Sequence, residues 1–235
     1  PLSNQISYFM PKLLAIDTSS SITRIALCLE GEIEEYRTGE PRQAAQQLLP
    51  LIQAAFSEAG IGAIDLDGIA VVTGPGSFTG LRIGIGVAQG ISVANATSLL
   101  GVSSLALLAQ TGVIPTESAD FLVCIPARDD EVYLGAYKYD GSVLVLLGRE
   151  RVVELKAGSP QLSLPERKWT GIGEAWQNQS QLEELFGVSV SNIDITAKTS
   201  MNDLCVIGLD KLRRGETLLS EQLLPNYVKE HLDYS

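Results

Sequence analysis

The sequence predicts an α/β fold made of two similar lobes with mixed β-sheets flanked by helices. Two observations carry this. Each half opens on a meander of three short strands and then alternates strands and helices. The halves part near residues 114–119, which sets one lobe at 12–114 and the other at 115–235. Composition agrees: 45% of the 235 residues are hydrophobic and 19% charged, enough apolar side chain for a real core.

The elements follow in order. Residues 12–19 (KLLAIDTS) read as a buried strand that opens into a turn, and 23–29 (TRIALCL) as its neighbour. Glu30-Gly31-Glu32 is a hairpin turn into a third strand at 34–38. Residues 43–59 have helical spacing, with Leu48, Leu51, Ile52, Ala55 and Phe56 on one face. Gly60 stops that helix, and Pro50 predicts a kink or a later start. Residues 69–73 (IAVVT) are a strand buried on both sides, followed by a glycine-rich loop and a helix over 81–95. A strand at 99–102 and a helix at 105–110, capped by Ser103-Ser104, close the first half. The second half has strands at 120–126 and 131–139, then Asp140-Gly141, a strong hairpin signal, leading into 142–148. Beyond it come a strand at 168–172 and an amphipathic helix over 202–214. The order is a duplication of architecture rather than a short repeat.

Charge and rare residues narrow the chemistry. The net charge of -11 argues against a chain that binds nucleic acid alone, since phosphate neutralisation supplies most of such affinity. An anionic membrane surface is disfavoured likewise, and no run of 18 apolar residues predicts a membrane span. The first ten residues lack a basic stretch followed by an apolar run, so no signal peptide is expected. Cys28, Cys124 and Cys205 sit apart in apolar runs and read as reduced core residues of a cytoplasmic protein. His231 is the one histidine, which removes most triad and metallohydrolase mechanisms.

Four motifs could carry function. Asp17, Thr18 and Ser19, followed by Ser20, could hold a metal and a phosphate at the first hairpin. The alternative, an Asx turn satisfying backbone groups, is favoured. The loop Gly74, Pro75, Gly76, Ser77, Phe78, Thr79 and Gly80 stands before a helix but lacks the lysine and spacing of a Walker A loop. Its simpler role is a tight strand-to-helix crossing with Ser77 or Thr79 as the N-cap. The helix after it carries Gly84, Gly86 and Gly90, and each glycine inside a helix costs about 0.5–1 kcal/mol relative to alanine. Close approach of another backbone would offset that cost, either within the lobe or on a second subunit. The run Arg128-Asp129-Asp130-Glu131 reads as a solvated turn rather than a Mg²⁺ site. No serine or cysteine has the neighbours of an activated nucleophile.

These residues resemble a known family. LLAIDTSSSITRIAL, IAVVTGPGSFTGLRIGIGVAQGIS, LLGVSSLALLA, ARDDEVYLGAY and LLPNYVK, in that order, are similar to the TsaB (YeaZ) family. The likeness spans about 12–229 and is loose over 150–218. It implies a duplicated actin-like (ASKHA) fold of two ribonuclease-H-like lobes. It also implies a non-catalytic scaffold subunit for threonylcarbamoyl transfer to the adenosine next to the tRNA anticodon. Its implied partners are TsaD, as a heterodimer through the first lobe, and the ATPase TsaE, with TsaC making the threonylcarbamoyl-adenylate. No cofactor is expected on this chain, ATP and metal belonging to TsaD and TsaE. A self-dimer through a similar surface, tRNA contact through the complex alone, and no membrane contact are implied as well. TsaD-like chains carry an HxxxH metal motif; an ungapped placement puts its histidines on Ser104 and Leu108, which supply no imidazole. Two departures, Ala44-Ala45 for His-Ser and Pro126 for Asp, leave those positions without a catalytic role.

The expected partner surface is therefore Leu81, Arg82, Ile83, Gly84, Ile85, Gly86, Val87 and Gly90, with part of the first helix. Asp17, Thr18 and Ser19 are the candidate vestigial phosphate site. The rival readings are an ATP-binding kinase-like or glycoprotease-like enzyme acting by itself, and a homodimeric binding module.

Overall fold

A computed structural model describes residues 10–39, 43–156, 164–226 and 228. The first lobe runs β1 (Leu13–Asp17), β2 (Arg24–Leu29), β3 (Glu32–Arg37), α1 (Ala44–Ala59), β4 (Gly68–Gly74), α2 (Phe78–Asn95), β5 (Ser98–Ser103) and α3 (Ser104–Gln110). Its sheet order is β3-β2-β1-β4-β5, antiparallel across β1, β2 and β3 and parallel from β1 through β4 to β5. The second half runs β6 (Ala119–Pro126), β7 (Glu131–Tyr139), β8 (Leu144–Leu146), β9 (Arg151–Glu154), β10 (Trp169–Ile172), α4 (Gln179–Phe186), β11 (Val190–Asp194) and α5 (Met201–Arg213). Read from the other edge, its sheet is β8-β7-β6-β10-β11, with the same alternation of antiparallel and parallel neighbours. The two sheets thus have one topology, which makes this the duplicated actin-like fold.

Local chemistry explains the boundaries. Glu30 and Gly31 both have positive φ, the geometry that lets two residues turn a twisted hairpin. Gly60 ends α1 in the left-handed conformation, with φ 65. The helix runs unbroken through Pro50, which is exposed, so the later start is not realised. Helix α2 begins at Phe78, three residues before the expected position, because Ser77 caps it. Strands β9 and β11 and helix α4 lie where the sequence showed no clear period.

Period-two alternation decides which face each strand residue serves. In β1 and β4, Leu14, Ile16, Ile69 and Val71 pack under α1 and α2 with Leu48, Ile52, Ile85 and Ala88. The intervening Leu13, Ala15, Ala70 and Val72 pack against Met201, Leu204 and Cys205 of α5. The second sheet is covered the same way. Leu122, Cys124 and Leu134 meet Trp176, Leu182 and Phe186 around α4. Phe121, Val123, Tyr137 and Ile172 meet Leu105, Leu108 and Ala109 of α3. Each sheet therefore has one face covered by its own helices and one by a helix from the other half. Helix α3 thus packs on the second sheet and α5 on the first. Gly208 makes α5 fit, since a Cβ there would lie 2.7 Å from Ala70 Cβ.

The three cysteines are buried, and burial raises all three thiols, Cys205 to about 12. They are core residues and not nucleophiles.

Candidate partner-binding face

The glycine-rich loop is clamped to the first hairpin. Ser77 N–H donates to Ser19 C=O at 2.7 Å, and Ser77 Oγ accepts from Gly80 N–H at 3.2 Å. A Cβ would lie 2.7 Å from Ser19 O at Gly76, 2.1 Å from Thr18 O at Gly80 and 2.3 Å from Thr18 Oγ1 at Gly84. These three glycines let α2 start directly on the Thr18–Ser19 backbone, so the loop serves as a strand-to-helix crossing.

The carboxylate of Asp17 is engaged by its own lobe. Oδ1 accepts from Ser19 N–H at 2.9 Å and Ser19 Oγ at 2.6 Å. Oδ2 pairs with Arg24 Nη2 at 2.6 Å, and Arg24 also donates to Thr199 C=O at 2.9 Å. Thr18 is buried against Gly84. The candidate phosphate site at Asp17, Thr18 and Ser19 is thus an Asx turn, reinforced by an ion pair that ties the hairpin to the segment entering α5.

Helix α2 divides the expected surface. Leu81, Gly84 and Ile85 turn inward and are buried, which corrects their assignment to a partner face. The physical reason is the stripe of i, i+3 and i+4 positions that α2 must bury on β1 and β4. Arg82, Ile83, Gly86, Val87 and Gly90 lie on the other side. With Ala45 and Leu49 of α1 they line an open depression of about 600 Å³. A Cβ at Gly86 or Gly90 would meet nothing within 4 Å. Phe78 is 57% exposed and Leu49 55%, and the Arg82 guanidinium stacks 3.8 Å above the Phe78 ring. Exposed apolar side chains gathered around such a depression make this face the candidate interaction surface.

The other sequence candidates fall elsewhere. Ser104 opens α3 with its hydroxyl buried, and Leu108 sits in the core against the second sheet. His231 lies outside the described residues. Among the described residues, no three histidine, cysteine, aspartate or glutamate side chains are grouped to hold a metal. Residues 127–131 form a turn, with Glu131 N–H on Arg128 C=O and Ala127 N–H on Glu131 C=O.

Sequence reading missed the polar knot at Glu150. Ser103 and Tyr137 both hydrogen-bond to Oε1, and Asn226 Nδ2 donates to Oε2. The Tyr137 phenol is held well above its ordinary range by burial first and by the Glu150 charge second. The knot borders an interlobe cleft of about 610 Å³. Its members are 13 to 76 residues from Glu150 in sequence, so no local spacing could show it.

A duplicated sheet with exchanged helices, carrying an open apolar depression between α1 and α2 on its first lobe, defines a chain of the actin-like class. The family model for TsaD, tRNA N6-adenosine threonylcarbamoyltransferase, matches residues 40–227. The TsaB protein of Escherichia coli is 29% identical over 223 residues, covering 94% of this chain and 96% of its own length. That of Bacillus subtilis is 34% identical over 179 residues, covering 74% and 76%. The solved structure of YeaZ from Pseudomonas aeruginosa superposes with a TM-score of 0.76 at 34% identity, covering 93% of this chain and all of that one. The chain belongs to this family and to its TsaB group, the tRNA threonylcarbamoyladenosine biosynthesis proteins.

Proposed function

We propose that this chain is a non-catalytic scaffold subunit for threonylcarbamoyl transfer to tRNA, and that its α1–α2 face holds a TsaD chain. One observation carries the reading. Of the four glycines in α2, Gly80 and Gly84 touch Thr18 of the lobe's own hairpin, whereas a Cβ at Gly86 or Gly90 would meet nothing within 4 Å among the described residues. Each costs α2 about 0.5–1 kcal/mol relative to alanine. Gly80 and Gly84 recover it by admitting Thr18, whereas no contact among the described residues recovers it at Gly86 and Gly90. A second backbone approaching the exposed depression supplies the missing contact.

The engaged Asp17 carboxylate and the replacement of the HxxxH positions by Ser104 and Leu108 support leaving the chemistry to the partners. TsaD and TsaE then supply metal and ATP, and tRNA is reached through the complex. The same face can hold a second copy when TsaD is absent. The test is reconstitution with TsaC, TsaD, TsaE and tRNA, reading threonylcarbamoyladenosine by mass spectrometry of nucleosides. Omitting this chain should abolish the product. Full modification in its absence, or ATP turnover by the isolated chain, would contradict the proposal.

A further inference from the structure

The segment after α5 has a single 3₁₀ turn, Ser220–Gln222, among its described residues, and it is fastened along its length. Leu218 N–H donates to Leu99 C=O at 2.8 Å. Gln89 Nε2, on α2, donates to both Ser220 C=O at 2.7 Å and Leu223 C=O at 3.0 Å. Leu223 is fully buried in the core beneath α2. Asn226 N–H donates to Thr73 C=O at 2.8 Å, and its side chain reaches Glu150. Ordering backbone in this way costs about 1–2 kcal/mol per residue. The segment nevertheless turns apolar groups outward: Leu219 is 61% exposed and Leu224 64%.

Its position gives that arrangement a use. Ser220 and Glu221 form one wall of a depression of about 490 Å³, with Gln89, Gly90, Val93 and Ala94 as the other. Gly90 and Ala94 also line the α1–α2 depression, so the two hollows are one continuous surface. Val93, which lines the smaller hollow, is 73% exposed.

We infer that residues 218–226 are a fixed ledge of the partner face, held in place by Gln89, and that the TsaD chain docked on α2 extends onto it. This rests on the proposed role of the α1–α2 face and names a second part of that interface. The docking element should bring an apolar side chain to Val93 and a basic one to Glu221, the acid on the ledge. Gln89 acts as a positioning residue, since both of its bonds fix the ledge backbone.

The experiment is calorimetric titration of the full chain with TsaD, comparing Val93→Glu, Glu221→Lys, Gln89→Leu and Gly86→Leu, with a thermal melt of each. Val93→Glu and Glu221→Lys should weaken binding by about tenfold or more at unchanged melting temperature. Gln89→Leu should do the same and speed hydrogen exchange of the amides at 219–224. Should Gln89→Leu fail to fold, the two exposed variants decide. Wild-type affinity in those two, with Gly86→Leu unable to bind, overturns the ledge and leaves the α2 face standing. Wild-type affinity in Gly86→Leu removes the face and the ledge together. Loss of self-association alone, with TsaD affinity intact, also overturns the inference.

Discussion

At Gly84 a Cβ would come within 2.3 Å of Thr18 Oγ1, whereas at Gly86 it would meet nothing within 4 Å. Alanine therefore has opposite effects two residues apart. Gly84→Ala should lower stability, by about 1–3 kcal/mol as overpacking does. Gly86→Ala should raise it by about 0.5–1 kcal/mol, the helix-propensity gain. Urea melts of both variants check this, and equal shifts of one sign would contradict the division of α2 into two faces. The sequence displays both glycines equally; only the turn of the helix relative to the first hairpin separates them. Arg24 is a second residue-scale case. Asp17 is 1% exposed, so Arg24→Met leaves a buried carboxylate without its countercharge and should cost on the order of 3 kcal/mol. A melt within 1 kcal/mol of wild type would show that Ser19 alone satisfies Asp17.

Helices α1, α2 and α5 and the strands of the first lobe are legible because each is long or strongly periodic. Leu48, Ile52 and Ala55 recur at helical spacing, and Gly60 is where a left-handed cap belongs. Helix α4 is not legible: it has eight residues, and Leu182, Leu185 and Phe186 are too few for a period. Strand β9 has four residues and pairs at β7 beyond a bend. What a stripe is buried against is also hidden, because amphipathicity reveals a covered face and not its cover. Helix α5 makes the point, coming from the second half to seal the first sheet. Accordingly residues 10–114 expressed alone should not fold, having Leu13, Ala15, Ala70 and Val72 uncovered. Circular dichroism and a thermal scan test this, and a cooperative melt of the fragment would refute the exchange. Within the full chain, Leu204→Ala, though in the second half, should cost about 2–5 kcal/mol.

For the molecule as a whole, buried thiols and phenols make alkaline pH the sensitive side. Folding raises Cys205 from 9.0 to about 12 and Tyr36 from 10.0 to about 12, the latter by burial first and then by Glu34 and Glu58. The folded state keeps these protons while the unfolded chain loses them. Their contribution is therefore full below about pH 9 and declines as pH rises from there toward 12. Urea melts at pH 8 and pH 10.5 should show the fall, and Cys205→Ala should lessen it. Duplication itself was readable from element order, and the family from its motifs. The Glu150 knot and the ledge were not, because both join segments far apart in the chain. On the proposed function, this chain contributes an exposed helix face and not a reaction centre. Calorimetric titration of Gly86→Leu with TsaD tests it most directly. A folded variant that melts no lower than wild type and shows no measurable binding is the predicted result, and wild-type affinity would contradict the claim.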